Sequence, residues 1–137
     1  MGEKVLEKRS GARFDGHVSS KVGIGYAAGD GSTVTQQTNR TTGVTINTLS
    51  GAITTNNASL AAEATADFIV TNSKVEINDC VVVSQRSGSN GGGTLVSVSA
   101  VAAGSFTIRV HNGNVAAGTA ETGAIIINFA VIKGSSA

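Results

Sequence analysis

Residues 22–32, "VGIGYAAGDGS", place glycine at 23, 25, 29 and 31, a density that invites a phosphate-binding reading. A phosphate loop needs its glycines between a strand and a helix, so that backbone N–H groups and the helix N-terminus converge on the anion. Here Ala28 stands where the third glycine of the dinucleotide fingerprint would fall, no Gly-Lys-Ser/Thr follows, and the downstream residues are β-formers. The stretch reads as a glycine-rich hinge. His17 and His111 stand far apart, each without a His, Cys or carboxylate at ligand spacing, so no metal ligand is assigned. Cys80, in "NDCVVVS", has the neighbours of a small buried hydrophobe rather than of a nucleophile, which would need a base and an electropositive setting.

Any two of Asp30, Glu63, Asp67, Glu76, Asp79 and Glu121 could meet in the folded chain as the carboxylate pair of a glycoside hydrolase. Sugar sites also want aromatic platforms, and the chain has one Tyr and no Trp. No catalytic residue and no cofactor is therefore assigned, and the chain is not expected to be an enzyme. Single-stranded nucleic acid wants aromatics interleaved with basic residues. Phe68, Phe106 and Phe129 lie instead among aliphatic residues, as core residues do.

The elements that would have to position such groups are strands. The chain has 137 residues, the size of one domain. Its 18 Gly, absence of Pro and 14% charged residues leave a body dominated by Ala, Val, Thr, Ser, Ile and Asn. Val, Ile and Thr suit a pleated, half-buried surface, while Gly, Asn and Ser suit the turns between strands. A net charge of +1 offers no general attraction to nucleic acid or to an anionic membrane. Charge nonetheless crowds the first twenty-one residues and thins to about one in ten thereafter. "MGEKVLEKRSG" has no apolar stretch behind its charges, so neither a secretory signal nor a membrane span is expected, and "NRT" at Asn39 and "NAS" at Asn57 are coincidental matches to the glycosylation pattern. With a single cysteine, stability must come from packing or oligomerisation, and synthesis in a reducing cytoplasm is expected.

Residues 1–31 read as an N-terminal arm and hinge, and residues 32–137 as a β-sandwich domain. A short helix around residues 3–9 suits its charge order but is too brief to persist alone. Strands are expected over residues 33–37, 43–48, 51–56, 65–72, 79–86, 94–101, 105–112 and 124–133. In "SFTIRVH" the alternation turns Phe106, Ile108 and Val110 one way and Thr107, Arg109 and His111 the other. "DCVVVSQ" and "AIIINFAVIK" are apolar on both faces, which points to central strands or to a face covered by another chain. "SGSNGGG" is expected as a hairpin tip, "HNGN" as a tight turn and "VAAGS" as a short connection through Gly104; "NNASLAAEA" is expected to carry the chain from one sheet to the other. The expected fold is an all-β antiparallel sandwich of about eight strands, jelly-roll or immunoglobulin-like, behind an extended arm.

"TVTQ" at residues 33–36, "TGVTI" at 42–46, then "SGAIT", "FIVTNS", a valine-rich strand, "VAAGSF" and a closing "FAVIKG" form a pattern over about the last hundred residues. As a whole it resembles a family of small structural proteins encoded by tailed bacteriophages and prophages. The resemblance implies a virion component rather than an enzyme, and leaves head or tail open. One expectation is a capsid decoration, or cement, protein on the outer capsid surface, made in the bacterial host cytoplasm. Its partners would be the major capsid protein and its own copies, as a homotrimer, with no nucleic acid or membrane. The arm residues Lys4, Val5, Leu6, Lys8, Arg9, Arg13 and Phe14 would grip the coat, and Val82, Ile126 and Ile132 would lie between subunits. The other expectation is a tail-fibre or host-receptor-binding module, with loops such as "SGSNGGG" as the contact. Poverty in aromatics, the usual anchors of binding sites, speaks against it.

Overall fold

A computed structural model of the chain describes residues 15–89, 93–115 and 118–135. Eight strands form: β1 (Gly31–Thr35), β2 (Val44–Thr45), β3 (Ser50–Thr54), β4 (Thr65–Thr71), β5 (Cys80–Ser87), β6 (Thr94–Ala102), β7 (Ser105–Asn112) and β8 (Ile126–Ile132). They make two four-stranded sheets, in the orders β1-β3-β8-β5 and β2-β4-β7-β6. The architecture is an all-β sandwich. Each sheet carries one parallel pair, β1 with β3 and β2 with β4, among otherwise antiparallel neighbours. The sheets are therefore mixed where an antiparallel sandwich was expected. The reason lies in the connections: β1 and β3 are separated by a strand that crosses to the opposite sheet, so the chain re-enters beside β1 in the same direction.

β6 and β7 form the one hairpin among the described strands that stays within a sheet, and Gly104 turns it at φ +81°. "SGSNGGG" does not join a hairpin, because β5 and β6, on either side of it, belong to different sheets. "HNGN" is not a two-residue turn either, because β7 and β8 also lie in different sheets and Asn112 is wholly buried as a loop anchor. Its amide donates to the Leu60 and Thr119 carbonyls and accepts from the Asn114 backbone N–H at 3.1 Å. A buried amide at a strand end needs such partners, and here they fix three loops at once.

Between the sheets lie the inward sides of each alternation. Phe106, Ile108 and Val110 from β7 meet Phe68 and Val70 from β4, Ile53 from β3, and Ile127, Phe129 and Val131 from β8, all nearly or wholly buried. The Phe106 and Phe129 rings, one from each sheet, sit 5.5 Å apart at 49°. Burying each such side chain stabilises the fold by about 1.5–3 kcal/mol, an upper figure because unfolded chains already hide part of this surface. β8 is the inner strand that its two-sided apolar sequence suggested, whereas β5 lies at the sheet edge. Ahead of β1, every residue from 15 to 30 is exposed.

Candidate interaction surface

The two sheets present contrasting outer faces, and the difference comes from which side chains the register aligns. On the β4–β7–β6 face, Asp67, Arg109 and Ser97 share one row, and Thr65, His111 and Leu95 the next. Arg109 forms a bidentate pair with Asp67 at 2.9 and 2.7 Å, and His111 Nδ1 lies 3.0 Å from the Thr65 hydroxyl. Both charges reinforce each other, the Asp67 carboxyl lying below and the Arg109 guanidinium above its ordinary value through that bond. This face carries a charge pair, alongside Ile69 and Leu95, which are 56% and 63% exposed.

On the β1–β3–β8–β5 face the rows read differently. Gly31, Ser50, Ala130 and Val82 align across the four strands, followed by Thr33, Ala52, Asn128 and Ser84. The next row is Thr35, Thr54, Ile126 and Ser87, and at the opposite end Ile132 pairs with Cys80. None of these in-register outward positions carries a charge. Val82 and Ile132 are 48% and 59% exposed, and Ile126 is half-buried. All three residues expected between subunits thus share this outward face.

Among the described residues, charges on this side stand at its rim. Arg86 stands in the bulge between Gln85 and Ser87. Lys133, directly after β8, donates to Asp79 at 2.6 Å and to the Lys74 carbonyl, and lies 3.2 Å from Glu76. The Lys133 ammonium, with the Glu76 and Gly134 N–H groups, holds the Asp79 carboxyl down at about 2. Asp79 and Glu76 therefore do come together, but around a lysine that keeps Asp79 ionised, which suits a structural clasp rather than an acid and base pair.

The hinge touches the sandwich at Tyr26. Val131 lies one residue beyond the last β3 pairing; its N–H donates to the Leu49 carbonyl, and its own carbonyl accepts from the Tyr26 hydroxyl. Tyr26, Asp30, Asn47, Thr48, Leu49 and Lys74 line a shallow groove beneath this tie. Val22 and Ile24, just before it, are 97% and 78% exposed. The expected coat-gripping residues Lys4, Val5, Leu6, Lys8, Arg9, Arg13 and Phe14, and the short helix expected near them, lie outside the described residues.

Cys80 is exposed, not buried as expected. The valine run allowed either phase of alternation, and the fold turned Val81 inward, which sends Cys80 and Val82 out. Glu121, in contrast, is completely buried at the other end of the sandwich. Its carboxylate accepts from the Ser89 hydroxyl at 2.9 Å, the Thr94 hydroxyl at 2.6 Å and the Gly123 N–H at 2.8 Å. Arg40 lies beside it with Nη2 on the Glu121 and Gly123 carbonyls and Nε on the Ala58 carbonyl. Burial lowers the Arg40 pKa, and the Glu121 charge works against that shift. The cluster ties loops together. Among the described residues, no group of three or more His, Cys, Asp or Glu is placed to hold a metal ion.

What sequence reading missed is the neutrality of the β1–β3–β8–β5 face, because its small residues come from four strands and only the register makes them neighbours. Comparison with protein-family models, with curated proteins and with solved structures returned no match to the chain.

Proposed function

We propose that this protein is a bacteriophage virion structural component, a capsid decoration protein that binds and stabilises the outer capsid surface through its N-terminal arm and through contacts between its own copies. The observation that carries this reading is the charge-free outer face of β1-β3-β8-β5, set beside a hinge that is exposed over residues 15–30. Interface cores are depleted of charge relative to the rest of a protein surface, and this face has that composition while the opposite face does not. The likeness of "TVTQ", "SGAIT", "FIVTNS", "VAAGSF" and "FAVIKG" to small phage structural proteins supports the same reading. An arm that orders on binding covers much surface for its length and can bridge several coat subunits.

The test is removal of residues 1–21. The truncated protein is expected to fold and to lose attachment to expanded capsids, measured by co-sedimentation. Decoration at the full-length level would overturn the gripping role of the arm, and labelling of tails instead of heads in electron micrographs of intact particles would replace the capsid reading by the tail-fibre one.

A further inference from the structure

We infer that the outer face of β1-β3-β8-β5 is where copies of this chain pack on one another, sheet against sheet. The inference rests on the proposed contacts between copies, and adds how they are made, by this face packing on its own counterpart. Of three observations, the charge pattern favours a second copy over a foreign partner, shape admits one, and area shows what more the contact needs.

Charge is the first. A foreign partner is usually matched by complementary charge, which steers the encounter and fixes its register. The aligned rows here offer no charge to match, with Arg86 and Lys133 confined to the rim. A neutral face meets its own copy without like-charge repulsion, and a charged rim around an uncharged centre is the ordinary anatomy of an interface. The Asp67–Arg109 pair shows that the outer face of the opposite sheet does carry charge.

Shape is the second. Ser50, Ala52 and Ala130 on the two inner strands keep this part of the face low, so a second sheet can approach to about 10 Å, the ordinary stacking distance. Val82 and Ile132 then supply apolar contact along one side.

Area is the third. Four strands about 4.8 Å apart and five residues long at about 3.3 Å each give roughly 300 Å² of sheet face. A stable specific interface buries about 800 Å² on each partner. The face alone falls short, so adjoining surface must complete it. Val22 and Ile24 add to it: they are apolar, exposed, and tied by Tyr26 to Val131, the neighbour of Ile132. They leave their own sheet uncovered and are free to lie on a neighbour.

The experiment uses the full chain. Light scattering at micromolar concentration is expected to give at least twice the 13.6 kDa chain mass for the wild type. Ala130→Lys is expected to reduce it to a single chain, and Thr107→Lys, on the opposite outer face, to leave the assembly intact. Cys80 gives an independent readout, since the sole thiol of the chain lies on this face. Its labelling by an aromatic disulfide reagent is expected to slow as wild-type concentration rises. A single-chain mass for the wild type, or a folded Ala130→Lys protein that assembles like the wild type, overturns the inference. Should Ala130→Lys fail to fold by circular dichroism, concentration-independent labelling of wild-type Cys80 overturns it instead. Capsid co-sedimentation run in parallel separates the two proposals. A monomer that decorates capsids removes self-packing and keeps decoration, whereas an assembly that never binds capsids does the reverse.

Discussion

Asp79 holds three bonds at once, from the Lys133 ammonium, the Glu76 N–H and the Gly134 N–H, and its side chain is shut from solvent. Those bonds favour the ionised form, so the folded carboxyl sits at about 2 against an ordinary 3.8. The unfolded chain therefore takes up this proton first. The stabilisation is complete above 3.8 and is lost as pH falls toward about 2. Urea midpoints measured on both sides of that window should fall for the wild type and fall less for Asp79→Asn; equal slopes would count against the clasp. Asp67 shifts in the same direction, but its pair with Arg109 is open to water and adds little. Glu121 poses the opposite problem, a carboxylate with no exposed surface. Glu121→Ala strands the Ser89 and Thr94 hydroxyls and leaves Arg40 buried without its nearby counter-charge, at a cost of about 3 kcal/mol or more. Glu121→Gln keeps the shape and should cost less. Chemical denaturation decides; an alanine variant as stable as the wild type would show that the cluster is idle.

At the scale of elements, two glycines at positive φ are expected to respond differently. Gly104 turns the β6–β7 hairpin at φ +81° with open space where a Cβ would go, so Gly104→Ala should cost about 1 kcal/mol, the strain of the left-handed conformation alone. Gly88, at φ +103° just after β5, would drive a Cβ into the backbone carbonyl of Ala124. Gly88→Ala should cost more than Gly104→Ala in thermal denaturation, and the reverse order would contradict the packing of this crossing against the entry to β8. The hairpin was legible in sequence because β6 and β7 are adjacent, and their alternating residues report one shared core. β5 was legible as a strand but not in phase, because Cys80, Val81, Val82 and Val83 are apolar on both sides and the choice fell to pairing with β8, some fifty residues away. The buried Glu121 was illegible for a related reason: Ser89 and Thr94 become its partners only after the chain has crossed between the sheets.

For the molecule as a whole, the eight strands depend on one another, while the hinge is held to them through Tyr26. Removal of residues 1–21 should accordingly leave the urea midpoint of the sandwich unchanged, since residues 15–21 are all exposed and Tyr26 is retained. A lowered midpoint would mean that the arm packs on its own sandwich. Tyr26→Phe keeps the ring and removes the bond to Val131, so it should speed amide exchange through residues 22–30 without unfolding the strands. Tyr26 has one more property. It is the only tyrosine of a chain without tryptophan, and the phenylalanines emit at shorter wavelength. The intrinsic tyrosine fluorescence of this protein therefore comes wholly from the hinge, and its quenching or polarisation reports, without any attached dye, whether the strap is seated on the sandwich or has been drawn onto another surface.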